Sequence, residues 1–281
     1  MIGDGLPPLR EVIARHGLLA RKSLGQHFLL DANLIRRIVR EAGDLAGRHV
    51  AEIGPGPGGL TRALLETAAA SVTAIEIDPR AAAAIRDLAA GSGGRLRVIE
   101  GDALRADIAQ LLPPPRRIVA NLPYNVATPL LLGWLAHASA YEAMTLMFQQ
   151  EVAERITAPP GSAEYGRLAI LAQWTCAVGL RLRIPPAAFV PPPRVWSAVV
   201  SLQPHPSQPP PALFAAMERL TAAAFGQRRK MLRSALKAIS GDALLATADI
   251  DPTRRAETLT VPEFDRLARA LLPAISSGTP A

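Results

Sequence analysis

Apolar runs and amphipathic stretches alternate along roughly the first 150 residues of the chain. The runs are rich in β-branched residues and end at turn-forming residues, as strands do, whereas the stretches between them carry apolar residues at helical spacing. The pattern predicts strands at His49–Ile53, Ser71–Ile77, Arg95–Ile99, Arg117–Ala120 and Met144–Phe148. It predicts helices at Leu60–Ala69, Pro79–Ala90 and Pro129–Ala138. Strands that alternate with helices form βαβ units, so we expect a parallel sheet.

The later part of the chain departs from this alternation. Val178–Ile184 and Val195–Leu202 show strand-like patterns with no long helix between them, so we expect an antiparallel pair that closes the sheet. The run QPHPSQPPP at 203–211 then interrupts regular structure, because proline fixes φ and lacks an N–H donor. Beyond it the pattern predicts helices at Ala212–Phe225, Arg228–Ile239, Gly241–Ala248 and Pro262–Leu272.

These elements predict an α/β fold in two domains. The first domain, 1–203, contains the sheet and begins with a basic segment, 1–30. A proline-rich linker, 204–211, joins it to a smaller all-helical domain, 212–281.

Composition excludes several classes of protein. Of 281 residues, 49% are hydrophobic and 20% are charged, which is enough apolar material for a core and excludes disorder throughout. No apolar stretch approaches the ~20 residues of a membrane span. The single cysteine excludes a disulfide framework, and the scattered histidines argue against a metal site. The N-terminus lacks the apolar segment of a secretory signal, so we expect a cytoplasmic protein, with a short transit peptide as the alternative.

The loop after the first strand reads Glu52-Ile-Gly-Pro-Gly-Pro-Gly-Gly59 and leads into a helix. Glycine lets a backbone turn sharply and approach a ligand closely, so Gly54 and Gly56 are candidate cofactor contacts. Glu76 ends the second strand 22 residues after Gly54, where a carboxylate can accept from ribose hydroxyls. Because NAD and S-adenosylmethionine (SAM) both carry a ribose, Glu76 does not distinguish them.

Two features favour SAM over NAD. Pro55 and Pro57 remove two N–H donors that a pyrophosphate would need, and SAM has no phosphate. Asp102 ends the third strand, where a carboxylate can accept from the adenine amine. Ordinary turns, with Asp102 as a helix cap, are the alternative interpretation.

The fourth strand ends in Asn121-Leu122-Pro123-Tyr124, at the edge where an open α/β sheet places its chemistry. The N6 amine of adenine is a poor nucleophile, because its lone pair is delocalised into the ring. Two hydrogen-bond acceptors, one for each N–H of the amine, would draw the nitrogen towards a tetrahedral geometry. The Asn121 side chain offers one acceptor, and the Leu122 carbonyl, held outward by Pro123, offers the other. Tyr124 offers a stacking face, or else the segment is a turn with a packed tyrosine.

Two further residues bear on the chemistry. Phe189 opens a proline-rich loop and is a candidate second stacking face for a base that leaves its stack, the alternative being a core phenylalanine. Cys176 lies away from the predicted strand ends, which disfavours methylation through a cysteine nucleophile. We expect Cys176 to be a small buried apolar residue.

Several segments occur in the order seen in one known family. They are RKSLGQHFL from Arg21, EIGPGPGGLT from Glu52, AIEID from Ala74, GDA from Gly101, NLPY from Asn121, YGRLAILAQ from Tyr165, FVPPPRVWSAV from Phe189 and AFGQRRKMLRSAL from Ala224. In these segments the chain resembles the KsgA/RsmA family of small-subunit rRNA adenine dimethyltransferases, over about residues 10–270. NLPY is shared with other N6-adenine methyltransferases, whereas the ordered set is more specific.

The resemblance implies a Rossmann-like class I methyltransferase sheet of seven mostly parallel strands, followed by a small helical domain. It implies a monomer that uses SAM and no metal. The implied reaction adds two methyl groups to each of two adjacent adenosines in the 3′-terminal hairpin loop of 16S rRNA, during biogenesis of the small ribosomal subunit. Carried over by position, the cofactor contacts fall on His27, Leu29, Gly54, Glu76, Asp102 and Asn121.

The family usually has Asn at the position of His27. Histidine can still donate or accept through one ring nitrogen, but its contact becomes pH-dependent. A loop histidine with a local hydrogen bond is the alternative interpretation.

The chain has 31 basic and 24 acidic residues, and its net charge of +7 is compatible with a polyanionic partner. Arginine richness alone is also typical of a GC-rich genome, so the clustering of the charges is more informative. The candidate RNA-binding residues are Arg228, Arg229, Lys230, Arg233 and Lys237, with Arg21 and Lys22 near the N-terminus. At helical spacing Arg229, Arg233 and Lys237 share one face, which either binds phosphate or is merely solvated.

Three other functions compete with this one. An Erm-type methyltransferase would modify 23S rRNA of the large subunit instead. A ribosome-assembly factor would bind immature small subunits without catalysis. A nicotinamide dehydrogenase would use the same glycine-rich loop for NAD.

Overall fold

The computed structural model describes residues 5–19 and 26–276, and side chains up to residue 272. It divides into two compact units. The first comprises Met1–Ala153 and Gly179–Pro204, and the second comprises Glu154–Val178 and His205–Ala281. The second unit therefore includes a segment that precedes the proline-rich run. Arg21 and Lys22 lie outside the described residues.

Nine strands are present in the described part of the chain. In order they are β1 (Phe28–Leu29), β2 (His49–Ile53), β3 (Ser71–Glu76), β4 (Leu96–Glu100), β5 (Arg116–Asn121), β6 (Ala143–Gln149), β7 (Cys176–Ile184), β8 (Phe189–Val190) and β9 (Ser197–Pro204). Seven of them form one sheet in the order β4-β3-β2-β5-β6-β9-β7. Strands β2 to β6 pair in parallel, and β9 runs antiparallel to β6. The predicted α/β fold with a mostly parallel sheet is confirmed.

The two remaining strands, β1 and β8, form a separate antiparallel pair that the sequence pattern did not predict. Phe28 pairs with Val190, and Leu29 pairs with Phe189. Each strand has only two residues, so neither is long enough to show a period. The pair joins the segment before the first long strand to the proline-rich loop at 191–196.

Helices fill the connections. They are α1 (Leu9–Arg15), α2 (Ala32–Arg40), α3 (Gly59–Leu65), α4 (Pro79–Ala90), α5 (Ile108–Leu111), α6 (Ala127–Leu135), α7 (Gln150–Thr157), α8 (Arg167–Thr175), α9 (Pro211–Gly226), α10 (Leu232–Ala235), α11 (Gly241–Thr247) and α12 (Val261–Ser276). The start of α4 shows why such helices begin where they do. Asp78 accepts from the Arg80 N–H, and Pro79 occupies the first helical position, where no donor is needed.

The core of the first unit lies where helices cover the sheet. Val50, Leu64, Val72 and Ile85 are almost completely buried and belong to one cluster. Burying each such side chain contributes about 1.5–3 kcal/mol. This packing makes the carboxyl ends of β2 to β5 a rigid edge on which side chains can be positioned.

The predicted helix at Arg228–Ile239 is wrong over its first third. Met231 is extended and forms an isolated antiparallel bridge with Arg255, so helix α10 begins only at Leu232. The helical pattern is local, whereas the bridge joins residues 24 positions apart, which the pattern cannot reveal. Arg229, Arg233 and Lys237 therefore do not share one continuous helical face.

Within the described residues, no helix is long and apolar enough to span a bilayer.

Candidate active site

A groove opens at the carboxyl ends of β2, β3, β4 and β5, entirely within the first unit. One half is lined by β1 and by the loops that follow β2 and β5. The other half is lined by the loops that follow β3 and β4. Gly54, Glu76, Ile77 and Pro123 border both halves, so the two halves lie side by side along the strand ends. An elongated ligand can lie across the strand ends, as in other open α/β sheets.

The loop between β2 and α3 forms the floor of the groove through its backbone. Gly54 and Gly56 both have positive φ, at 66° and 56°, a region that side chains rarely adopt. A Cβ on Gly56 would also lie 3.0 Å from the ring of Phe28. Glycine is therefore required here for both conformation and space, as the sequence predicts.

Glu76 connects two loops of the groove. Its carboxylate accepts from the Gly56 N–H at 3.2 Å and from the Asp78 N–H at 2.8 Å, and the residue is 4% exposed. Burial raises the pKa of Glu76, and the two backbone donors oppose that rise by favouring the charged form. Each carboxylate oxygen has a further lone pair, so Glu76 can accept from a ligand as well.

Glu52 is a candidate that the sequence analysis did not identify. It lines the groove at the end of β2 and is 1% exposed, and neither carboxylate oxygen has a partner at normal hydrogen-bond geometry, although Thr61 lies close enough to lower its pKa. Burial raises the pKa of Glu52 to about 8. A buried carboxylate without a partner is costly unless it is protonated or meets a positive charge. In the sequence, the sign of such a role is an acidic residue within a mainly apolar strand.

Asn121 ends β5 with its amide in a defined orientation. Its Nδ2 donates to the backbone carbonyl of His27 at 3.3 Å. Because a carbonyl only accepts, the Oδ1 atom is left as the acceptor available to a ligand. The adjacent residue, Leu122, also lines the groove.

Two rings also line this half of the groove. Tyr124 stacks against His27 with centroids 5.5 Å apart, and the Tyr124 hydroxyl bonds to the Ser197 hydroxyl at 2.6 Å. The Nδ1 of His27 donates to the carbonyl of Pro191 at 2.8 Å, which leaves Nε2 as an acceptor in the neutral ring. Leu29 lines the same half of the groove. Of the predicted contacts, His27, Leu29, Gly54, Gly56, Glu76 and Asn121 therefore line one half of one groove.

Asp102 lines the other half of the groove, after β4. Its Oδ1 accepts from the Leu104 N–H at 2.9 Å and so holds a turn. Its Oδ2 lies 3.9 Å from the guanidinium of the exposed Arg105, a contact of little energetic weight. Asp102 thus holds a turn through Oδ1, while Oδ2 has only the weak contact with Arg105.

Phe189 does not face the groove. It is 2% exposed, lies in β8 opposite Leu29 and belongs to the core cluster. Its ring offers no free face to a base in this conformation, so the alternative interpretation, a core phenylalanine, describes its position. Cys176 is also buried, as expected, and burial raises the pKa of its thiol to about 11.

The basic residues of the second unit remain available to a partner. Arg229, Lys230, Arg233 and Lys237 are exposed and form no ion pair within the described residues. Arg228 is partly buried and donates to the carbonyl of Ser162 at 3.2 Å. The described residues contain no cluster of His, Cys, Asp and Glu that could hold a metal ion.

The sheet order, the glycine-rich loop, the acidic residue after β3 and the Asn-Leu-Pro-Tyr segment after β5 define a Rossmann-like methyltransferase. Comparison with known proteins is more specific. The chain belongs to the ribosomal RNA adenine dimethylase family, which matches residues 17–271. The resemblance predicted from the ordered segments is confirmed.

The similar proteins match nearly the whole chain. The ribosomal RNA small subunit methyltransferase A of Gluconobacter oxydans is 63% identical over 94% of this chain and 87% of its own length. The protein of the same name from Rhodospirillum rubrum is 58% identical over 96% of this chain and 94% of its own length. The crystal structure of a dimethyladenosine transferase from Plasmodium falciparum superposes with a TM-score of 0.73 at 27% identity, over 86% of this chain and 96% of that one. The 23S rRNA methyltransferase ErmE superposes with a TM-score of 0.66 at 26% identity, over 87% and 99%.

Proposed function

We propose that this protein dimethylates the N6 nitrogens of two adjacent adenosines in the 3′-terminal hairpin loop of 16S rRNA, using SAM, in the cytoplasm. The observation that carries the proposal is the amide of Asn121, which the His27 carbonyl orients so that its oxygen is left for a ligand, in a groove that Leu122 and Tyr124 also line. The names of the relatives support the small subunit as the partner.

The residues of the groove fit SAM. Glu76 would accept from the ribose hydroxyls, and the Asp102 Oδ2 would accept from the adenine amine. His27, Leu29 and Gly54 would form the wall beside them, and the orphaned carboxylate of Glu52 suits a cationic ligand. Pro55 and Pro57 leave the loop short of the donors that the pyrophosphate of NAD requires. When bound, SAM supplies a methyl group already activated by a sulfonium.

The groups around Asn121 explain why an amine would receive the methyl group. The Asn121 Oδ1 and the Leu122 carbonyl would accept the two hydrogens of N6 and so localise the nitrogen lone pair towards the donor carbon. Tyr124, fixed by Ser197, would stack on the base, which is worth about 1–3 kcal/mol. The chain needs no general base before transfer, because the product cation can lose its proton to water. Positioning and electrostatics supply the catalysis.

The histidine at position 27 is compatible with this role. Asn121 is held by the backbone carbonyl of residue 27, which is the same whether the side chain is Asn or His. The imidazole keeps one free acceptor nitrogen for the cofactor. The departure from the family pattern therefore leaves the orientation of Asn121 unchanged.

We expect SAM binding to release about one proton at pH 7, because Glu52 is protonated in the cofactor-free protein and would ionise beside a bound cation. Calorimetric titration in buffers of different ionisation enthalpy measures this release. Glu52→Gln should abolish it. Equal proton release in wild type and variant would contradict the role of Glu52.

The same group makes the stability of the cofactor-free protein depend on pH. The folded chain keeps a proton that unfolded glutamate releases, so the free energy of unfolding should fall as pH rises from the ordinary glutamate pKa to about 8. Each unit of pKa difference corresponds to about 1.4 kcal/mol. Denaturant unfolding at several pH values measures this dependence. In Glu52→Gln the free energy of unfolding should fall less as the pH rises.

The basic cluster of the second unit would bind rRNA phosphates. Arg229→Ala and Arg233→Ala should each reduce the slope of log affinity against log salt by about one, as expected when one phosphate contact is lost. Filter binding of undermethylated small subunits at several salt concentrations measures the slope. Arg269→Ala is the matched control, because Arg269 is paired with Asp265 within its own helix. An unchanged slope in both cluster variants would exclude these contacts.

Mapping of N6-dimethyladenosine tests the proposed function. In a strain that lacks this protein, primer extension should detect loss of the modification from 16S rRNA, and the purified protein should restore it with tritiated SAM. Loss from 23S rRNA alone would instead identify an Erm-type enzyme. Binding of small subunits without incorporation would identify an assembly factor.

A further inference from the structure

A tryptophan is exposed next to the residue that fixes Tyr124. Trp196 is 47% exposed, whereas Trp134 is 5% exposed. It immediately precedes Ser197, whose hydroxyl bonds to that of Tyr124. Consecutive Cα atoms lie about 3.8 Å apart, so the Cα of Trp196 is that far from the Cα of Ser197, the residue that contacts Tyr124. An exposed aromatic side chain at that position is available to a partner.

Trp196 belongs to a loop that is held at both ends. We call residues 191–196 the rim loop. At its start the Pro191 carbonyl accepts from His27 at 2.8 Å, and at its end the Trp196 carbonyl accepts from the Gln150 N–H at 2.8 Å. Three consecutive prolines, 191–193, stiffen the segment between these contacts. The rim loop therefore presents Trp196 with little conformational freedom left to lose on binding.

The chemistry of the rim loop suits a nucleic acid. Its sequence, PPPRVW, contains no acidic residue. Arg194 is exposed and forms no ion pair with any described residue, so its charge is available to a phosphate. An aromatic face beside an unpaired arginine is the combination that binds unpaired nucleotides.

We propose that Trp196 stacks on the unpaired nucleotide next to the target adenosine, while Arg194 contacts its phosphate; this inference rests on the proposed function. An adenosine that leaves its stack exposes the face of the neighbouring base, and covering that face offsets part of the cost of flipping. Tyr124 stacks on the target base, and Trp196 stacks on the neighbouring base.

Kinetics with undermethylated small subunits at saturating SAM test the proposal. Trp196→Ala should raise the KM for subunits about tenfold, in line with the loss of one stacking contact, and lower kcat much less. Trp196→Phe should recover most of the loss, because a phenyl ring also stacks. Val195→Ala, in the same loop and also exposed, is the matched control and should leave KM within about twofold. Arg194→Ala should reduce the salt slope of subunit binding by about one.

The outcomes separate this inference from the proposed function. If wild type methylates 16S rRNA while Trp196→Ala keeps the wild-type KM, stacking by Trp196 is wrong and the proposed function stands. Equal impairment in Trp196→Phe and Trp196→Ala would also overturn it, since an aromatic face would then not be what matters. If wild type transfers no methyl group, the proposed function fails, and filter binding of subunits to the same variants still tests Trp196.

Discussion

Replacing Asn121 by alanine is expected to lower kcat about 100- to 1000-fold. The substitution removes one of two acceptors that would localise the lone pair on N6, and the loss of one such electrostatic contact typically costs this much. The hydrogen bond to the His27 carbonyl is also lost, at about 1 kcal/mol of stability. Single-turnover methylation of undermethylated small subunits measures the effect on chemistry, and thermal unfolding measures the effect on the fold.

Asn33→Ala provides the control for this experiment. Asn33 is exposed in the first turn of α2 and lies outside the groove, so its loss should leave kcat within about twofold. Methylation by Asn121→Ala at the wild-type rate would show that the proposed site is wrong. Unfolding of Asn121→Ala at the assay temperature would be detected by the melting measurement, and the assay is then repeated below that temperature.

Replacing Glu76 by glutamine is expected to weaken SAM binding about 100-fold. A glutamine presents only one acceptor oxygen, so it cannot serve the Gly56 and Asp78 N–H groups and two ribose hydroxyls together. Hydrogen bonds to a charged group contribute about 1.5–3 kcal/mol each, and every 1.4 kcal/mol changes Kd tenfold. Isothermal titration calorimetry measures the affinity.

Glu100→Gln is the matched control for the loss of a strand-end carboxylate. Glu100 ends the neighbouring strand β4 but faces Arg86 in an ion pair with a half-exposed side chain. Its substitution should leave the Kd for SAM within about twofold. An affinity in Glu76→Gln equal to that of the control would remove Glu76 from the cofactor site.

The groove illustrates how far local patterns predict a site. Gly54 follows a strand, and Glu76 and Asn121 end theirs. Parallel strands place their carboxyl ends along one edge, so the proximity of these residues could be predicted without coordinates. The pattern does not reveal Glu52, because its significance is burial without a well-formed hydrogen bond, which depends on all its neighbours in space. Phe189 was misplaced because the β1–β8 pair, with two residues in each strand, draws it into the core.

By itself the sequence determined the α/β alternation, the glycine-rich loop, the Asn-Leu-Pro-Tyr segment and the family, because each depends on residues close together in the chain or on their order along it. Only the tertiary structure decided which aromatic ring is buried and which is exposed, where α10 begins, and which carboxylate lacks a partner. Burial, pairing across the chain and hydrogen-bond satisfaction are properties of neighbours in space, and those neighbours come from distant parts of the sequence.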